Sequence, residues 1–109
     1  RCASINGASI ALYDALSRLN LKRHPMNSLV GAVSLGVVDS EVIVDLDYKE
    51  DSRAGTDMNV VMDSNGGLLE VQGTAEREPY SRDELNKMLD LGGEGIDKLI
   101  GLQKQVLEI

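Results

Sequence analysis

The sequence predicts an α+β domain, a largely antiparallel four-stranded sheet backed by helices. Three observations carry that expectation. Apolar residues recur at helical spacing near both ends of the chain, over residues 3–21 and again beyond Ser81. Between them lie four short runs that are β-branched or alternate apolar with polar. Turn-forming residues separate the runs, and Asp63-Ser64-Asn65-Gly66-Gly67 is the strongest hairpin signal among them.

The first helix places Ile5, Ala8, Leu12, Ala15, Leu16 and Leu19 on its apolar stripe. Small residues fill its first half (Ala3, Ser4, Gly7, Ala8, Ala11), which lets a helix lie close to a sheet. Lys22-Arg23-His24-Pro25 ends it, because cations suit a helix C-terminus and proline cannot continue a helix. Residues 28–38 read as a buried strand, with Gly31 and Gly36 as candidate bulges. After the Asp39-Ser40 turn, residues 41–47 alternate as a second strand, hairpin-paired with the first. Residues 48–56 are a charged loop, 58–62 a third strand and 68–72 a fourth. Ser81 and Glu84 form a capping box that opens a helix to about Leu91. Gly92-Gly93 is expected to stop that helix, and a last one follows over residues 94–107. No internal repeat or linker divides the chain, so residues 1–109 are taken as one unit.

Composition excludes several classes. The 109 residues are 42% apolar and 27% charged, a folded rather than a disordered balance. No apolar run approaches the roughly 20 residues of a membrane span. One cysteine, Cys2, cannot close a disulfide, and with only His24 beside it a structural zinc site is not expected. A reducing, cytoplasmic setting is the expectation. Lys+Arg total 11 against Asp+Glu 18, a net charge of −7. That balance, with no Phe or Trp and three Tyr, argues against nucleic-acid binding by bulk electrostatics or base stacking. The chain opens on Arg1 at a helix entrance, which suggests part of a longer protein.

The residues that could carry chemistry concentrate after the second strand. Asp51 and Asp57, six apart across a loop, can converge on one site. Hard cations such as Mg²⁺ bind through one or two carboxylates plus substrate phosphates, so the pair could hold a metal, or divide into one metal ligand and one general acid. The alternative is a solvated acidic loop. Asp57 and Asn59 share one strand face, while Met58, Val60 and Met62 share the other as core. Arg1 precedes a helix N-terminus, a natural phosphate site, although a terminal arginine is more often simply solvated. Gly73-Thr74-Ala75-Glu76 reads as a turn with an exposed acid. A single histidine supports no nucleophile–histidine dyad.

Three stretches taken together resemble ribonuclease PH, a family of phosphorolytic 3′→5′ exoribonucleases. They are residues 46–51 running on to Thr56-Asp57-Met58-Asn59-Val60-Val61-Met62, then Glu70-Val71-Gln72-Gly73-Thr74-Ala75-Glu76, then residues 81–103. The family pattern before the first helix, Gly-Gly-Thr-Arg-Thr-Ala-Ser-Ile-Thr-Gly-Ala, is met here from its arginine onward, with Cys2 and Asn6 in place of two threonines.

The resemblance implies a ribosomal-protein-S5-domain-2-like unit, the C-terminal part of a ribonuclease PH-like domain whose other half lies upstream. It implies phosphate-dependent trimming of tRNA precursor 3′ ends with release of nucleoside diphosphates, nucleotidyl transfer in reverse, and assembly into a hexameric ring. Arg1 then matches the phosphate-binding arginine, and Asp51 and Asp57 match the acidic pair that binds Mg²⁺ or protonates the leaving oxygen. The partners implied are RNA and inorganic phosphate. A catalytically silent ring or scaffold subunit of an exosome-like assembly is the alternative, and a small acidic Mg²⁺-binding protein is a third reading.

Overall fold

The computed structural model describes residues 2–19, 24, 26, 28–38, 41–44 and 55–109. The elements run α1 (Cys2–Ser17), β1 (Val30–Val38), β2 (Glu41–Val44), β3 (Thr56–Asp63), β4 (Leu68–Ala75) and α2 (Arg82–Leu107). The strands form one antiparallel sheet in the order β2-β1-β3-β4. This is the α+β architecture expected.

Period-two alternation decides which residues meet the helix layer. Register partners share a face, so Val33 and Leu35 of β1 stand with Met58 and Val60 of β3. These four join Leu29, Met88, Ile96 and Ile100 in the core beneath α2. The opposite face carries two polar rows across three strands: Ser34, Asn59 and Gln72, then Gly36, Asp57 and Thr74.

The hairpin between β3 and β4 forms where the Asn-Gly-Gly signal lies. Asp63 Oδ1 accepts from the amides of Asn65 (2.9 Å) and Gly67 (2.8 Å), and Gly66 takes the positive φ of 86° that glycine accepts without Cβ strain. The irregularity in the sheet is a register shift at Val61/Met62, between β3 and β4. Neither Gly31 nor Gly36 is a bulge, because both pair in unbroken register with β3.

Gly31 is instead a point of close approach. A Cβ there would meet Ile96 Cγ2 at 2.9 Å. The same reason corrects the expected break at Gly92-Gly93. α2 is one helix of 26 residues, opened by the Ser81–Glu84 capping box and closed by a left-handed Glu108. A Cβ on Gly92 would lie 3.3 Å from Leu35 Cδ1 and one on Gly95 would touch Val33 and Val44, so the glycines seat the helix on the sheet.

The apolar stripe expected of α1 also fails. Leu12 and Leu19 are 53% and 60% exposed, and the buried residue of α1 is Ser9. The helix docks through its polar side, along the edge of β1 that lies past the last β2 pair, Leu35↔Val44. There Asn6 Nδ2 donates to Ala32 O (3.0 Å) and Asn6 Oδ1 accepts from Ala32 N (3.1 Å). Ser9 Oγ accepts from Val30 N (3.0 Å), and Gln103 Nε2 of α2 donates to Val30 O (2.9 Å). Edge-strand groups that a longer β2 would have paired are satisfied by side chains.

Candidate active site

Asp57 lies near the start of β3, and the strand's alternation turns it away from the Met58–Val60 core onto the polar face. It is half-buried, between the Gly36 and Thr74 register partners. Gly36 leaves the space beside it without a side chain. Among the described residues, no side chain or amide is bonded to the Asp57 carboxylate. Asp63 at the other end of the strand is different, since its carboxylate is committed to the hairpin.

The helix entrance meets the same face. Cys2, the first residue of α1, lies with its Sγ 3.6 Å from Asn59 Oδ1, to which the thiol donates. Asn59 stands two residues from Asp57 on the same side of β3. The first turn of a helix presents amide N–H groups without intrahelical partners and the positive end of the helix dipole, a setting for phosphate oxygens. The Asp57 carboxylate and the entrance of α1 therefore lie on the same side of β3.

Of the residues singled out in the sequence, Asp57 lies on the strand face that alternation predicts, with Asn59 and opposite Met58 and Val60. Arg1 and Asp51 lie outside the described residues, as does the charged loop over residues 45–54. Gly73-Thr74-Ala75-Glu76 belongs to β4 and its exit rather than to a turn after a shorter strand. Its roles are structural: a Cβ on Gly73 would meet Met58 Cε at 2.8 Å and Tyr80 Oη at 3.0 Å, and the Glu76 amide donates to Gly55 O at 2.8 Å. That last bond anchors the backbone two residues before Asp57. His24 is half-buried rather than a free surface group. Its ring stacks on Tyr13 at a centroid distance of 3.9 Å, and its Nε2 lies 3.1 Å from Tyr13 O at the C-terminal end of α1.

The donors on this face are oxygens and amides: Asp57, Asn59, Ser34, Gln72 and Thr74. That chemistry suits a hard cation. Among the described residues no group of three His, Cys, Asp or Glu side chains gathers to cage a metal. The described residues therefore fit a divalent cation shared between Asp57 and phosphate oxygens.

A four-stranded antiparallel sheet covered by a long helix on one face, with Asp57 on the other and a helix N-terminus contacting Asn59 beside it, defines the class: an α+β domain with a polar sheet face. Residues 28–95 match the 3′ exoribonuclease family, domain 2, and the chain belongs to that family. It is 53% identical over 111 residues to a ribonuclease PH of Moorella thermoacetica, a match covering 98% of this chain and 44% of that protein. The chain thus spans less than half the length of that curated relative. The fold is similar to that in a crystal structure of rice (Oryza sativa) Rrp46, with a TM-score of 0.77, 19% identity, and coverage of 96% of this chain and 46% of that one. It is also similar to a chain of an Archaeoglobus fulgidus exosome with RNA bound to the active site, with a TM-score of 0.60, 20% identity, and coverage of 76% and 34%.

Proposed function

We propose that this chain is the C-terminal part of a phosphorolytic 3′→5′ exoribonuclease, supplying the acidic pair and one phosphate-binding arginine of its active site. The observation that supports the reading is the contact of the first residue of α1 with Asn59, two residues from Asp57 on the same strand face, in a chain of the 3′ exoribonuclease family. Inorganic phosphate, held by Arg1 and the amides of the first turn, attacks the terminal phosphodiester of an RNA. The products are a nucleoside diphosphate and an RNA shorter by one nucleotide, and the reverse reaction adds a nucleotide.

Phosphoryl transfer of this kind needs positioning and charge stabilisation more than a covalent catalyst. Asp57 and Asp51 divide two tasks, holding the cation and giving a proton to the departing 3′-oxygen. A bound magnesium ion would neutralise phosphate charge. The substrate we assign is the 3′ end of tRNA precursors, in the cytoplasm, by a protein whose upstream half brings the remaining phosphate and RNA contacts and which assembles as a hexameric ring.

The test is phosphate-dependent release of nucleoside diphosphates from an RNA with a 3′ extension, using the full-length protein. Asp57→Asn keeps the size and removes the charge, and kcat is expected to fall by about 100-fold or more with folding intact. An unchanged rate in Asp57→Asn would remove Asp57 from the site.

A further inference from the structure

We propose that Asn6, Ser9 and Gln103 form a positioning device for the phosphate end of this site, a role that rests on the phosphorolytic reading above. The three side chains come from α1 and α2, and they are joined to one another and to β1. Ser9 Oγ donates to Gln103 Oε1 (2.9 Å), and Gln103 Nε2 donates to Asn6 Oδ1 (3.3 Å) as well as to Val30 O (2.9 Å). Asn6 Nδ2 then reaches back to Cys2 O (2.9 Å) while also holding Ala32 O (3.0 Å). Ser9 and Gln103 are 6% and 2% exposed, and no described buried side-chain nitrogen or oxygen lacks a partner.

Apolar packing tolerates sliding, because it is non-directional. A buried hydrogen-bonded network admits one register, since any shift leaves buried donors and acceptors unpaired. α1 leaves Leu12 exposed, and its buried contact with β1 and α2 runs through this network. The bond from Asn6 to Cys2 O transmits the register to the first residue of the helix, which also meets Asn59 beside Asp57. The asparagine stands where the resembling family pattern has threonine. Threonine, with one donor, cannot bridge Cys2 and Ala32 in this way. The network touches neither phosphate nor RNA, so its effect on the reaction passes through the position of the helix entrance.

Gln103→Met keeps the length of the side chain and removes its polar atoms. In the full-length protein, it is expected to raise KM for inorganic phosphate about tenfold while changing KM for RNA less than about twofold. Met88→Ala, which opens a cavity in the core about four turns away along α2, is expected to lower thermal stability and leave KM for phosphate unchanged. Asn6→Leu, similar in size and without polar atoms, serves as a second variant if Gln103→Met does not fold, with the same phosphate-selective shift. Amide hydrogen exchange gives a readout independent of turnover: Ile5 to Ser9 are expected to exchange about tenfold faster in the network variants, with the far half of α2 unchanged.

An equal phosphate shift in Met88→Ala, or none in folded network variants, overturns the proposal. Should the wild-type protein release no nucleoside diphosphate, the phosphorolytic reading fails and the phosphate role of the network is overturned with it; a failure of the network proposal alone shows instead as normal wild-type turnover with no phosphate-selective shift in the folded variants.

Discussion

Two aspartates on one strand show how a residue's surroundings set its task. Asp63 closes β3 and accepts two amides of the hairpin, so its carboxylate is spent on structure. Asp57, six residues earlier, has no such partner among the described residues and faces a row cleared by Gly36. Their variants should separate accordingly. Asp63→Ala leaves the Asn65 and Gly67 amides to water and is expected to cost about 1–2 kcal/mol of stability, read as a lower urea midpoint with an unchanged m-value. A midpoint equal to wild type would show that the turn residues alone hold the hairpin. Asp57→Asn belongs to the opposite case, a loss of rate with the midpoint kept. This distinction was legible in the sequence only in part. Asn-Gly-Gly after Asp63 marks a turn by local chemistry, and alternation puts Asp57 opposite the Met58–Val60 core. That Asp57 remains unbonded depends on neighbours contributed by other strands.

At the scale of the element, misread signals share one cause. A helix stop at Gly92-Gly93 and a bulge at Gly31 are sound local inferences, because glycine favours both. The deciding fact is that α2 and β1 approach so closely that Cβ atoms would collide, a property of two segments some sixty residues apart. The face of α1 was misjudged for the same reason. Ser9 is buried and Asn6 half-buried against Gln103, more than ninety residues away in sequence, and no periodicity within α1 announces a hydrogen-bonded dock. Elements whose signals are local were legible: the capping box of α2, the hairpin, and the alternation of β3.

The glycines yield a differential prediction at this scale. Nothing lies within 4 Å of a Cβ at Gly7, on the exposed side of α1, whereas one at Gly31 meets Ile96 at 2.9 Å and Ile100 at 3.4 Å. Gly7→Ala is expected to stabilise by about 0.5–1 kcal/mol through helix propensity, and Gly31→Ala to destabilise by about 1–3 kcal/mol through overpacking. Chemical denaturation of the pair checks the signs. Equal shifts in one direction would mean that approach distance is not what selects glycine in this fold.

At the scale of the whole molecule, charge and surface bear on what these 109 residues can do by themselves. The accessible surface is 7122 Å². A self-contained folded monomer of this mass exposes about 5,900 Å². The radius of gyration, 15.6 Å, likewise exceeds the roughly 13 Å of a compact domain of this length. Apolar side chains share in that surface, among them Leu12, Leu19, Leu68, Leu69 and Val71. The net charge of −7 works against a polyanion, since RNA affinity comes from Lys and Arg that displace counterions. On the proposed reading, Asp57 is acidic where cation and leaving group belong, and a net charge of −7 does not favour gripping an RNA strand. The 109-residue chain alone is therefore expected to phosphorolyse RNA at least about 100-fold more slowly than the full-length protein, mainly through a raised KM for RNA. Both proteins assayed side by side at about 0.15 M salt decide it, a concentration at which weak long-range attraction is already screened. Comparable turnover by the short chain would mean that its own open face, and not basic residues elsewhere in the protein, holds the RNA.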